Sequence, residues 1–366
     1  MPKNAAILPL LLLLLLIPSQ RASAQYYLTG GAPSSTRWSS ISGEHFDVIY
    51  PRETDSLARN YLFLFEKYRD ATLAGLHIET PRVPIILHPY DMYSNGSVIW
   101  APKRMELYTT PPGDALYALD WPTQLAVHEG RHVGQMAHYT KGIYKVLSVL
   151  TGEQSIGVGV GLYPTKVLLE GDAVQSETDL TEAGRGRDPE FTKYFRAAFL
   201  DGDFRNYFAW RYGSYRNYTP SKYVFGYLMT STMRSNSGNY FTTGDIMANQ
   251  VHDWWRVFSV SHRSYIRATG LTGRKNWRAA IARNTELWSW EYKLRAPYTP
   301  TSPLLLDRSP VYNEVSNPVR LGGTTYATKW GMQHERHIVA IDSMGSMGSF
   351  RKGTTTNMFT AIWDIT

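Results

Sequence analysis

The chain has 366 residues, a formal charge of +7 and no cysteine, with 25 Tyr and 11 Trp. The absence of cysteine excludes disulfides and thiolate metal ligands, so stability rests on the core and on any metal that His and carboxylate groups hold. Basic residues are scattered among Tyr and Trp rather than gathered in a stripe, which argues against a nucleic-acid partner, and the length calls for more than one structural unit.

Met1-Pro-Lys-Asn, an apolar run from Ala5 to Pro18 and the small-residue site Ala22-Ser-Ala24 read as an export signal over residues 1–24. The apolar run is too short to prefer a spanning helix, no Cys follows it, and no later segment is expected to cross a bilayer as a helix. The mature chain is therefore expected outside the cytoplasm with no stable anchor. Loss of Lys3 and Arg21 lowers the charge by two, to +5.

Residues 39–51 read as a strand, with Phe46, Val48 and Tyr50 alternating against His45, Asp47 and Ile49. Residues 54–75 carry helix formers with no Gly or Pro before Gly75, and residues 81–89 give a second strand followed by a turn at 91–96. In residues 101–112, Met105, Leu107 and Thr109 alternate with Arg104, Glu106 and Tyr108. The flanking prolines suggest an edge strand, although an ordinary surface strand fits as well.

Pro122 then opens a helix carrying Leu125-Ala-Val-His-Glu-Gly-Arg-His-Val-Gly-Gln-Met-Ala. Helix positions four apart share a face, so His128 and His132 can reach one ion while Glu129 reaches a water on it. This is zinc-hydrolase geometry, and largely apolar flanks separate it from a chance match on a solvated helix. A third ligand is expected from another helix, Lys166-Val-Leu-Leu-Glu-Gly-Asp-Ala-Val-Gln-Ser-Glu-Thr. Glu170 lies there, 38 residues after His132, among apolar neighbours where a carboxylate needs a partner or a metal.

Between the two helices the alternating Gly157, Gly159 and Gly161 lack the spacing of a nucleotide loop and suggest a closely packed or flexible loop. Residues 182–190 read as an exposed charged segment and 191–199 as an amphipathic helix. Residues 218–234 start at Pro220 and become helical; Tyr223 or Tyr227, less so Tyr218, is positioned to donate to a developing oxyanion, unless these phenols are simply packing groups. Arg234 suits either a substrate carboxylate or a helix salt bridge. Residues 245–292 read as two or three helical pieces packed by Trp254, Trp255, Phe258, Trp277, Ile281, Leu287, Trp288 and Trp290. The four prolines of residues 296–310 mark a linker. Beyond them, Gly323-Thr-Thr-Tyr-Ala-Thr, His337-Ile-Val-Ala-Ile-Asp and Asn357-Met-Phe-Thr-Ala-Ile-Trp are strand candidates, the last close enough to Thr366 to suggest that the sequence is a piece of a longer protein.

The chain resembles the gluzincin metallopeptidases, and more closely the exported bacterial peptidase-MA-like group that often continues into a WD40-like or TolB-like β-propeller. Trp38 with His45-Phe-Asp-Val-Ile-Tyr-Pro, Ala101-Pro-Lys-Arg-Met-Glu-Leu-Tyr, His128-Glu-Gly-Arg-His-Val-Gly-Gln, Glu170-Gly-Asp-Ala with Glu177, and Tyr223-Val-Phe-Gly-Tyr carry the resemblance over residues 38–295. It implies an α+β, zincin-like metallopeptidase domain over residues 25–295, with Zn2+ on His128, His132 and Glu170 and Glu129 as catalytic base. It also implies that the strand with Met105, Glu106 and Leu107 lies at the cleft and pairs with an extended peptide or protein substrate. Residues 311–366 then resemble the opening blade of an incomplete propeller, a surface for a protein partner. Thermolysin-type members place an acidic residue four positions after the ligand Glu, where this chain has Val174, so Asp172 or Glu177 is expected to contact a ligand histidine instead. The metal chemistry leaves open hydrolysis of a non-peptide amide or ester, and a binding or scaffold protein with a weak or inactive site.

Overall fold

A computed structural model of the chain describes residues 32–113, 118–214, 218–301, 311–342 and 347–349. The chain divides into two compact units between Thr36 and Arg37. The described part of the first is a turn in which Thr36 N donates to Pro33 O at 2.9 Å.

In the second unit, β1 (Trp38–Ser42) and β2 (Phe46–Pro51) form an antiparallel hairpin, which corrects the single strand expected over 39–51. The chain turns at 43–45, and Glu66 of helix α1 (Asp55–Leu73) accepts from the backbone N–H groups of His45 and Phe46 there. Helix α1 carries the chain to β3 (Val83–His88), parallel to β2. Next in space is β5 (Arg104–Tyr108), parallel to β3, and β4 (Gly96–Ile99) lies antiparallel beyond it, giving the order β1-β2-β3-β5-β4. Register puts Val48 beside Ile85 and Ile85 beside Met105, so the buried residues of three strands share one face against Tyr61 and Phe65 of α1.

The edge expected at Met105, Glu106 and Leu107 is thus misplaced. Met105 and Leu107 are fully buried core residues of an interior strand, and the edge is β4. Pro102 and Pro111 fall outside β5 and place no constraint on its pairing.

Helix α2 (Trp121–Ala137) crosses α1 closely: a Cβ at Gly134 would lie 2.6 Å from the side chains of Leu73 and Leu76. After α3 (Gly142–Thr151), the glycine-alternating stretch expected as a loop is helix α4 (Gln154–Leu162). Packing overrides propensity here, because a Cβ at Gly159 would meet the ring of Tyr144 at 2.8 Å and that of Tyr139 at 3.0 Å. Then come α5 (Lys166–Leu180), α6 (Pro189–Leu200), α7 (Tyr207–Tyr212), α8 (Lys222–Ser237), α9 (Thr242–His252), α10 (Val260–Thr269) and α11 (Gly273–Leu294).

Helices α5 and α8 touch backbone to backbone, with a Cβ at Gly171 falling 2.2 Å from the carbonyl carbon of Gly226. Glu170 and Tyr223, one and three residues from that contact, are thereby fixed relative to each other. A second core of aromatic rings, including Phe195, Phe199, Trp210 and Phe225 stacked on Trp277 at 4.0 Å, supports this crossing. Trp288 is buried as well and Ile281 packs at its margin, but Trp254, Trp255, Phe258, Leu287 and Trp290 are exposed, contrary to expectation. The first three sit in turns between α9 and α10, where helical spacing has no meaning.

The last described strands, β6 (Asn313–Leu321), β7 (Thr324–Gly331), β8 (His337–Ile341) and β9 (Met347–Ser349), form an antiparallel sheet in sequential order around Ala327, Val339 and Ile341. Its pairing shifts register between Ser316 and Val319, around Pro318, and Tyr312 stacks on Tyr218 of the helical region at 4.0 Å. Among the described residues this sheet stands as one four-stranded layer without closure. The strand expected at 357–363, the export signal expected over residues 1–24 and residues 302–310 of the expected linker lie outside the described residues. No helix among the described residues is long and apolar enough to cross a membrane.

Candidate metal centre

Asp120 caps α2 by accepting from Thr123 N at 3.1 Å, and Thr165 caps α5 by accepting from Leu168 N at 3.2 Å. These two helices bring His128, His132 and Glu170 together. His128 Nε2 and His132 Nε2 are 3.2 Å apart, and Glu170 Oε2 lies 3.3 Å from the first and 3.4 Å from the second. Donors around a tetrahedral zinc, each bonded at about 2.0–2.1 Å, stand roughly 3.3 Å apart.

The hydrogen bonds behind each ring set its tautomer. His128 Nδ1 faces Glu177 Oε1 at 2.6 Å and His132 Nδ1 faces Gln135 Oε1 at 2.7 Å. Gln135 is oriented by donating its Nε2 to Leu169 O at 3.0 Å and Asp172 Oδ2 at 2.8 Å, so its oxygen must accept. Both Nδ1 atoms therefore carry hydrogen, and both Nε2 lone pairs point at one another and at a carboxylate. A cation between them makes that arrangement favourable, either a metal ion or, without one, a proton on His128 facing Glu170. The residues present fit a metal ion held by nitrogen and oxygen donors.

The charges agree. Burial alone would push His128 down, but hydrogen bonds to Glu170 and Glu177 raise it to about 9. Burial pushes Glu170 up, and the hydrogen bonds and charges of the two imidazoles more than reverse this, holding it well below the usual carboxylate range. Glu129 is raised by burial despite both histidines, and its Oε2 is buried with no hydrogen-bond partner among the described residues.

Asp172 and Glu177 both stand behind the ligands, one per histidine. Asp172 receives Arg131 Nε at 2.6 Å and Nη2 at 3.0 Å, in addition to Gln135, while Arg131 Nη1 donates to Thr72 O and Ala74 O. Arg234 donates to Asp172 at 2.9 Å and to Asp179 at 3.0 Å, so the structure has the salt bridge rather than a substrate anchor at that position. Glu177 receives Arg185 Nε at 2.8 Å and is also bonded by Arg185 Nη2. Arg185, from the 3-10 turn Arg185–Arg187, was not recognisable as a site residue because its segment reads as a solvated charge run. Gln135 was missed too, since nothing in its sequence context distinguishes it from a core-facing amide.

A cleft of about 470 Å³ opens over this cluster, lined among others by Gly96, Ser97, Val98, Glu129, Lys222 and Tyr223. Lys222 Nζ pairs with Glu170 Oε1 at 2.8 Å. The Tyr223 ring is 5.9 Å from that of His128, and burial, then the nearby Glu170 charge, raises its hydroxyl and keeps it a donor. Tyr227, the other candidate, faces Gly186 O at 3.5 Å and lies outside the cleft lining. Met105, Glu106 and Leu107 also lie outside it, with Glu106 paired to Arg104 at 2.6 Å.

Edge strand β4 occupies the place expected for β5. Tyr108 N donates to Asn95 O at 2.9 Å, and antiparallel alternation then turns the N–H and C=O of Gly96 and Val98 away from β5, toward the open edge. A Cβ at Gly96 would fall 2.7 Å from Glu129 Oε1 and from Leu125 Cδ2, so a side chain there would displace Glu129. A larger hollow of about 720 Å³, lined by residues such as Phe204, Phe208, Arg274 and Trp277, has no histidine or carboxylate in its lining. No protein-family model matches the chain, and no curated protein matches it significantly.

Proposed function

We propose that the chain is an exported zinc metallopeptidase of the gluzincin type, with His128, His132 and Glu170 as ligands and Glu129 as general base. The observation that carries this reading is the mutual 3.2–3.4 Å spacing of three donor atoms beside the orphaned Glu129 oxygen. Zinc bound there would acidify a water to a pKa near ~7 and polarise a scissile carbonyl. Glu129 takes the proton as the water oxygen bonds to the carbonyl carbon, and delivers it to the amide nitrogen as the C–N bond breaks. Tyr223 donates its hydroxyl hydrogen to the carbonyl oxygen as negative charge develops. Outward backbone groups of Gly96 and Val98 bind an extended substrate as an added strand, which favours a peptide over other amides or esters.

The export signal of residues 1–24 and the likeness to the peptidase-MA-like group support the exported assignment. In the same reading, residues 25–295 are the catalytic domain, 296–310 a linker and 311–366 the start of a WD40-like or TolB-like propeller that binds a protein partner, since four antiparallel strands make one blade.

Metal analysis paired with cleavage of a mixed peptide library tests the assignment. The expected result is one zinc per chain and chelator-sensitive cleavage. E129Q should keep the zinc and lose about 10²–10⁴-fold in turnover, while H128A and H132A should lose the metal. Full activity in E129Q would remove Glu129 from its role, and folded protein without metal affinity would remove the central claim.

A further inference from the structure

The outward faces of α3 and α4 carry aliphatic side chains that the fold leaves uncovered. Val149 and Leu150 are each 83% exposed, Val146 and Leu162 63% and Val158 57%, with Leu147 beside them. The hairpin itself is anchored: Tyr144 and Ile156 are core residues, and the Tyr144 ring packs edge-on against Tyr139 and Tyr163. Its exposed apolar crest is therefore a feature of packed helices.

Charge is distributed unevenly around that crest. Lys141 and Lys145, at the start of α3, and Lys166, just after α4, are exposed. Glu153, the sole acidic residue between Lys141 and Lys166, is taken up by the backbone N–H of Lys103 at 2.6 Å. The hairpin thus presents aliphatic side chains flanked by cations.

We propose that this hairpin is a membrane-docking surface, its Val and Leu crest entering the interfacial layer of an anionic bilayer while Lys141, Lys145 and Lys166 meet headgroup phosphates. Composition distinguishes lipid from protein as the occupant. Protein-docking patches concentrate Tyr, Trp, Met and Arg and are depleted in Lys, whereas Val and Leu with flanking Lys characterise helices that lie in a bilayer interface. Lysine stems reach past apolar surface to the headgroups, so the two residue types act together. Val160 and Gly161 of α4 line the cleft, so docking brings the cleft to the lipid surface.

The absence of cysteine permits a local probe. The full chain with Leu150→Cys carries an environment-sensitive dye, and Lys275→Cys, exposed on α11, is the control. Both share the same N-terminus, so the apolar run near it contributes equally. With phosphatidylglycerol–phosphatidylcholine vesicles, emission at position 150 should shift to the blue and that at 275 should not, with a weaker response to phosphatidylcholine alone. Adding V149D to the labelled chain should raise the half-saturating lipid concentration by about tenfold or more. No shift with either vesicle, or an equal shift at both positions, overturns the proposal. A lipid-independent shift that grows with protein concentration also overturns it and assigns the face to a second copy of the chain. None of these readouts requires turnover, so their outcome is independent of the hydrolase reading.

Discussion

His128 and His132 lie one helical turn apart and face the same point, yet they are supported in unlike ways. His132 rests on a neutral amide, Gln135, and the charge sits one residue further back in Asp172, which is fully buried with Arg131 and bonded to Arg234. That cluster joins α2, α5 and α8 with the end of α1, through Arg131 and the carbonyls of Thr72 and Ala74. His128 rests directly on a carboxylate, Glu177, balanced by an arginine from a short turn. The first support is inseparable from the fold; the second belongs to the site. Mutations at the two should therefore differ in kind, stability against metal affinity.

The largest expected effect is in the His132 support. Burial pushes Asp172 up, and Arg131 and Arg234 overcome it to hold the carboxylate well below its ordinary value. Asp172→Asn keeps the shape but strands the fully buried Arg131 guanidinium, while Arg234 retains Asp179, and removing one partner of a buried ion pair costs about 3–5 kcal/mol. Denaturant unfolding of the metal-free protein should show that loss. A change below about 1 kcal/mol would mean that Asp172 is not the tie between these helices.

A second contrast lies next to the same helix. For His138, immediately after α2, burial dominates, and with Lys141 adding to it and the Leu76 backbone and Asp172 opposing only in part, its pKa falls to about 4, whereas His128 is raised to about 9. An unfolded imidazole titrates near ~6.5, so as pH falls the unfolded chain takes up the proton first. The stability from neutral His138 is complete above about pH 6.5 and is lost progressively toward pH 4, by about 3 kcal/mol in all. Comparing unfolding free energies of the parent and His138→Gln at pH 7 and pH 5 isolates this slope; parallel curves would show that His138 is not buried neutral.

Local pattern made part of this legible. The i, i+4 histidines and a carboxylate among apolar neighbours declare themselves because helix periodicity and the cost of burying charge act over a few residues. Asp172 and Glu177 were visible as alternatives because sequence lists carboxylates without saying which histidine each faces; the structure uses both. Arg185 was hidden because a charged run is ordinarily solvated, and its partner lies across a loop. The exchange of β5 for β4 at the edge depends on parallel pairing with β3, a long-range fact that flanking prolines do not encode. Gly157, Gly159 and Gly161 weaken a helix locally, and long-range packing, the rings of Tyr139 and Tyr144 against Gly159 and the Trp100 carbonyl against Gly157, holds α4 in place.

The smallest expected effects grade the His128 support. Glu177→Gln retains an acceptor for His128 Nδ1 but removes the charge that stabilises a cation on the ring and balances Arg185, and loss of such a support lowers metal affinity by about 10–100-fold. Arg185→Gln leaves Glu177 and its charge in place and removes the guanidinium that orients it, lies 3.0 Å from His128 Nδ1 and covers the Tyr223 ring, so the loss of affinity should stay below about tenfold. Competition with a chelating indicator reads both, and neither variant should approach Asp172→Asn in lost unfolding free energy. Arg185 acts through Glu177 as a positioning residue, so Arg185→Lys, which restores the charge without the two-pronged contact, should recover only part of the affinity. Full recovery would make charge alone the function of Arg185; a stability loss equal to that of Asp172→Asn would erase the distinction between the two supports.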